Sequence, residues 1–294
     1  MKNVTDSLIE KIEKVGNPTV AGLDTRIEFL PESMRKNVKS GSDAAKAIVE
    51  YNCALIDALK DIVPSVKIQS AYYEMYAHYG VEAFYTTAAY AVKNGLNVMA
   101  DVKRNDIGAT AEAYAAAYLG RSGFDYITVN PYPGYDGIKP FIDCCSQNGK
   151  GIFVLARMSN PSAAQIQNLK VDGVPLYIKV GELIGEWGNS LIGEHGYSAV
   201  GAVVGATNPA EARELRERFS SVFFLVPGYG AQGGSGATAA AAFDGKGSGA
   251  IVNNSRGIIA AHMTERYKGM GFAQAARAAA IDMREDLVKA INAR

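Results

Sequence analysis

The stretch NVMADVKRNDIGATA, residues 97–111, decides how this chain is read. It begins as an apolar run, ends that run in Asp101 and Lys103, and passes through Asp106 into a tract of small residues. Hydrophobicity that is continuous rather than alternating suits a strand buried on both faces, as in a parallel sheet covered by helices. Asp101 and Lys103 lie two positions apart, so on a regular strand their side chains share one face. Charges gathered at a buried strand end are costly unless they are paired and used. The plainer account makes Asp101 and Lys103 an ion pair at a rim and Asp106 a helix N-cap.

Outward from this stretch, similar apolar runs recur at 18–24, 65–70, 126–131, 151–159, 199–207, 222–230 and 249–256. Helical patterns lie between them, such as AAKAIVEYNCALIDALK (44–60), VEAFYTTAAYAVKNG (81–95), NPAEARELRERF (208–219) and AQAARAAAIDMREDLVKAI (273–291). Eight runs alternating with helices predict an α/β fold, a closed (β/α)8 barrel, with an open doubly wound sheet as the alternative. No linker divides the 294 residues, so residues 1–294 read as one domain. It carries a capping helix over about 1–16 and a last helix over about 271–292. The Gly/Ala-rich tract 234–249 falls where a short helix and tight loops are expected. Residues 160–198 exceed one crossover and predict an extra helix or excursion near the mouth.

Composition narrows the function. Thirty basic and thirty acidic residues balance, so no basic face for nucleic acid or an anionic membrane is expected. An anionic ligand would need a few placed cations. No apolar run approaches the roughly 20 residues that span a bilayer. The amphipathic start MKNVTDSLIEKIEK lacks the apolar core of a signal peptide, which points to the cytoplasm. Cys53, Cys144 and Cys145 form no disulfide framework, and neither they nor His78, His195 and His262 have metal-ligand spacing. The sequon at Asn253-Asn254-Ser255 is then incidental.

Polar residues end the apolar runs: Asp24, Lys67, Asp101 with Lys103, Asn130, Ser159, Thr207 and Arg256. In a barrel these ends converge on the face that carries active sites. Lys67, taken alone, is open to three uses: Schiff-base nucleophile, phosphate ligand or snorkelling surface lysine. The turn VPGYGAQGG (226–234) and Arg256 supply the backbone N–H groups and the cation of a barrel phosphate site. The same turn matches GxGxxG, but it follows the seventh run rather than the first, against a dinucleotide fold.

DVKRNDIGAT resembles the D-x-K-x-x-D-I/V-x-x-T signature of the orotidine 5′-phosphate decarboxylases. VAGLD, VKIQSAYYE, ARMSNPSA, VPGYGAQGG and NNSRGI follow in that family's order, from about Thr19 to Arg256. The wording is similar to the longer bacterial branch, although Met158 stands where many members of that branch have threonine. The resemblance implies a homodimeric barrel that decarboxylates orotidine 5′-phosphate to UMP, the last step of de novo pyrimidine nucleotide synthesis, without metal or cofactor. Lys103 would deliver a proton to C6 of the pyrimidine, with Asp101 and Lys67 as its charge-network neighbours. Asp106, with Ile107 and Thr110 beside it, would complete the neighbouring subunit's site. Asp24 would bind a ribose hydroxyl and Ser159 the pyrimidine edge. Gln232 and Arg256 would hold the phosphate, with Pro227 in the same turn and Tyr229 a further candidate.

Other readings share the barrel. A Mg²⁺-dependent sugar-phosphate decarboxylase or aldolase would use the D-x-K pair around the metal. A Schiff-base aldolase would use Lys67 or Lys103. A non-catalytic phosphate-ligand binder would have no need of buried like charges.

Overall fold

The structure is a computed structural model that describes residues 2–120, 123–230 and 233–294. Ten strands are present among them: β1 (Thr19–Gly22), β2 (Ser65–Gln69), β3 (Asn97–Arg104), β4 (Tyr126–Val129), β5 (Gly151–Arg157), β6 (Lys170–Val171), β7 (Val174–Pro175), β8 (Val200–Val204), β9 (Phe224–Val226) and β10 (Ala250–Asn254). Eight of them close a barrel in the order β1-β10-β9-β8-β5-β4-β3-β2. Each barrel neighbour pairs in parallel. Closure therefore excludes the open doubly wound sheet, and the chain is a (β/α)8 barrel.

The continuous apolar runs follow from this closure. One face of each strand packs on the helices outside, as with Val66, Val98, Ile127, Ile152 and Val252. The other face fills the barrel interior, where Val20, Met99, Tyr126, Phe153, Leu225 and Ile251 form one cluster. Lys67 and Asp101 point into that interior at the carboxyl ends, above this apolar layer.

The opposite end of the barrel is stoppered by the helix Val4–Val15. Its Leu8 and Ile9 join the interior cluster, each burial contributing roughly 1.5–3 kcal/mol. Asn3 caps the helix by accepting from the Thr5 N–H at 2.7 Å, and Gly16, at φ +60°, ends it in the left-handed region. Asp6 accepts from the amides of Glu194 and His195 at 2.8 and 3.0 Å. The last helix, Phe272–Asn292, closes the outer ring against the helix Gly41–Leu59 and the end of the barrel. No helix among the described residues is long and apolar enough to cross a membrane.

The excursion at 160–198 is a short helical turn, the helix Ala164–Gln167, an antiparallel hairpin of β6 and β7, and the helix Leu176–Gly188. The Gly/Ala-rich tract holds the short helix Gly236–Ala240, opened by a capping box between Ser235 and Thr238.

Candidate active site

The carboxyl ends of the strands surround a cavity of about 450 Å³. At its floor one carboxylate organises everything else. Asp101, 8% exposed, receives Lys67 Nζ at 3.0 Å and Gln69 Nε2 at 2.9 Å on Oδ2. On Oδ1 it receives Lys103 Nζ at 2.6 Å and the Thr128 hydroxyl at 2.8 Å. Both oxygens are thereby doubly engaged. Lys67 reaches on to Asp24 Oδ1 at 3.2 Å, so Asp24, Lys67, Asp101 and Lys103 form one alternating chain of charge.

Burial decides how strongly these charges interact. Burial alone would push the Asp101 carboxyl up, but the ammoniums of Lys67 and Lys103 outweigh it and hold the group well below the usual carboxylate range. Burial would likewise lower Lys67, and the carboxylates of Asp101 and Asp24 outweigh that and hold its ammonium above the ordinary lysine value. Lys67 is enclosed, whereas the Lys103 side chain remains 39% exposed to the cavity. Both lysines line the cavity, and Lys103 is by far the more exposed of the two.

A regular pleat does not place Asp101 and Lys103, contrary to the reading from their spacing. The β3–β4 register runs Met99 with Tyr126 and Ala100 with Ile127, then jumps to Arg104 with Val129. Lys103 lies in this bulge with φ +45°, a conformation rarely adopted by a residue with a side chain.

Ser159 and Met158 line the cavity from the turn after β5. That turn is built from below. The buried Arg157 holds Glu211, its Nε 2.6 Å from Oε2, and Gln167 Oε1 accepts from Arg157 Nη1 at 3.0 Å and from the Met158 amide at 2.9 Å. Thr207 donates to the Ser159 carbonyl at 3.1 Å, and a Cβ on Gly205 would come 2.8 Å from Ser159 Cα. Glycine at 205 is what lets this turn settle on β8.

Arg256, Pro227 and Tyr229 line the side of the cavity formed after β9 and β10. The Arg256 guanidinium forms no ion pair among the described residues, so it is the cation left over once Asp24 and Asp101 are matched to Lys67 and Lys103. The Tyr229 hydroxyl donates to Asp286 Oδ2 of the last helix at 2.7 Å. The amides of Gly230, Gly233 and Gly234 donate to carbonyls of the turn itself, at 2.7, 2.9 and 3.1 Å, rather than facing the cavity. Gln232 lies outside the described residues.

Asp106, Ile107 and Thr110 do not line this cavity. Asp106 accepts from the Ile107 amide at 2.9 Å but does not cap the helix Gly108–Ala115, which has no side-chain cap. Ile107 is 61% exposed. Asn130 makes a local turn, accepting from the Tyr132 amide at 3.1 Å.

Reading by strand ends alone misses Thr128, Gln69, Arg157 and Asn253. Asn253 lies at the buried end of β10, lines the cavity, and its Oδ1 has no partner among the described residues.

Fold and site together define a (β/α)8-barrel enzyme whose mouth sets two ammoniums around one buried carboxylate, with a free arginine at its side. The model of the Orotidine 5'-phosphate decarboxylase / HUMPS family matches residues 20–267. An orotidine 5′-phosphate decarboxylase of Rhodopirellula baltica is 42% identical over 98% of this chain and 99% of its own. The solved OMP decarboxylase of Leishmania donovani superposes with a TM-score of 0.78 at 30% identity, over 99% of this chain and 100% of that one. The UMP synthase of the same organism gives 0.81 at 31% identity, over 100% of this chain and 57% of that longer one. The chain belongs to the orotidine 5′-phosphate decarboxylase family.

Proposed function

We propose that Lys103 is the proton donor in the reaction of this carboxy-lyase, which decarboxylates orotidine 5′-phosphate to UMP and CO2 in pyrimidine nucleotide synthesis. The observation that carries the assignment is the arrangement around Asp101: one lysine nearly enclosed in the floor, the other more exposed at the cavity and tethered at 2.6 Å.

The chemistry asks for such a group. Breaking the bond between C6 and the carboxylate leaves an electron pair in an sp2 orbital at C6 that the ring cannot delocalise. The barrier is correspondingly high, and the enzyme must supply stabilisation near the ~23 kcal/mol upper end of the usual range. An ammonium fixed beside C6 meets charge that exists only as CO2 departs, so its binding energy acts on the transition state. Lys103 then transfers a proton to C6, giving UMP, and recovers one from solvent. Asp101 holds and aims that ammonium, the ammoniums of Lys67 and Lys103 keep Asp101 ionised, and Asp24, held by Lys67, presents a carboxylate to the ribose.

In this reading Ser159 meets the pyrimidine edge, and Arg256 grips the phosphate together with Gln232. Asp106 and Thr110, outside their own chain's cavity, serve the site of a second copy in a homodimer. A Mg²⁺-centred mechanism fits these donors less well, because a cation bound by Asp101 would have to displace an ammonium from it. Lys103→Ala tests the assignment. Turnover is expected to disappear while UMP binding persists, since the ammonium acts mainly in the transition state. Near-native kcat in that variant would remove Lys103 from the chemistry.

A further inference from the structure

Thr128 sits on β4 with 2% of its surface exposed, and its hydroxyl both accepts and donates. It accepts from the backbone N–H of Lys103 at 2.9 Å and donates to Asp101 Oδ1 at 2.8 Å. These two bonds lie where the β3–β4 ladder breaks. Between the pairs Ala100–Ile127 and Arg104–Val129, residues 101–103 of β3 face Thr128 alone. A ladder carbonyl that would ordinarily receive the Lys103 amide is replaced there by a side-chain hydroxyl. The replacement coincides with the positive φ of Lys103, +45°, a backbone state that costs conformational energy and persists only where its surroundings impose it.

We infer that Thr128 is a positioning residue for the decarboxylation: one hydroxyl pins the bulged backbone of Lys103 and orients the carboxylate that holds the same lysine's ammonium. Lys103 is thus held at both ends, by Thr128 at the amide and by Asp101 at Nζ, and the two anchors are bonded to each other. A lysine side chain has four rotatable carbons and three equivalent donors, so without such a closed loop its ammonium would sample a wide volume. Proton delivery to one carbon requires a fixed point instead. The inference rests on Lys103 as the proton donor.

The test is Thr128→Val, close in shape but without the hydroxyl, beside Thr128→Ser, which restores it. In the valine variant kcat is expected to fall roughly 10- to 100-fold, as for loss of hydrogen bonds to charged groups, with KM and UMP affinity within about threefold of the parent. The serine variant should return kcat to within about threefold of the parent. Should the valine variant fail to fold, Thr128→Ala replaces it and carries the same expectation. A kcat within about threefold of the parent in the hydroxyl-free variant overturns the inference. So does a serine variant no better than valine, because the side chain's bulk and not its hydroxyl would then matter. Lys103→Ala assayed in parallel separates the two levels. If it is inactive while Thr128→Val is unimpaired, only the role of Thr128 falls; if it turns over substrate, the proton-donor assignment falls with it.

Discussion

Asp101 and Lys103 are two residues apart in the chain and their charged groups meet at 2.6 Å, yet they do so across a break in the β3–β4 ladder rather than along a regular pleat. The bulge turns the lysine toward the mouth while leaving the carboxylate in the floor. That division gives the two residues different exposures and, in the mechanism proposed, different tasks. In that mechanism the lysine meets substrate, and the aspartate meets the lysine.

The pH dependence of stability follows from the directions of the shifts. Asp101 titrates below its unfolded value of about 3.9, so its contribution is complete above that pH and is lost as pH falls through the folded value. Lys67 titrates above its unfolded value of about 10.4, so its contribution is complete below that pH and is lost only as pH rises through the still higher folded value. Neither group changes protonation near neutrality. Asp101→Asn, which leaves Lys67 buried without its main counter-charge, should destabilise by roughly 3 kcal/mol at pH 7. In urea titrations the gap between parent and variant should narrow below about pH 4. A gap independent of pH would mean that Asp101 is not held ionised by its neighbours.

Ser159 is presented to the cavity by a turn that Arg157, Gln167 and Thr207 brace from behind. Its hydroxyl is expected to meet the pyrimidine edge. Ser159→Ala should lower kcat/KM by roughly 1–3 kcal/mol, the cost of one unpaired buried group, with the unfolding midpoint unchanged. An unchanged kcat/KM would leave Ser159 as a solvent-facing hydroxyl at a strand end.

Asp106 offers a test of the shared site, because it lies outside its own chain's cavity and caps no helix. Lys103→Ala and Asp106→Ala chains should each form nearly inactive dimers. In a mixed two-fold dimer one site collects both lesions and the other receives neither. Unfolding and refolding equal amounts together makes about half the dimers mixed and about a quarter of all sites intact. Recovery of roughly a quarter of parental activity is therefore expected, with parental KM. If mixed dimers are verified by mass and no activity returns, Asp106 acts elsewhere.

Legibility in the sequence followed burial. All eight barrel strands stood out because both of their faces are covered, which leaves an unbroken apolar run. The β6–β7 hairpin did not, since its strands are two residues each and too short for any periodicity. Its turn was nevertheless written in Asp172-Gly173, both at positive φ. The charged residues of the floor were found by looking at strand ends. Thr128 escaped because a threonine inside an apolar strand is an ordinary β-former, and nothing in the spacing signals that a bulge opposite will claim its hydroxyl. The glycine turn shows the converse limit: its composition advertises free amides, while its folded geometry uses those of Gly230, Gly233 and Gly234 internally.

The central claim is that the chain's own lysine, without a metal ion, meets the charge that develops at C6. It is tested most directly by following the loss of orotidine 5′-phosphate absorbance after exhaustive treatment of the protein with EDTA, with Lys103→Ala assayed alongside. Undiminished turnover in the parent and none in the variant is the expected result. Activity that vanishes with EDTA and returns on adding Mg²⁺ would contradict the claim and place Asp101 and Lys103 around a metal instead.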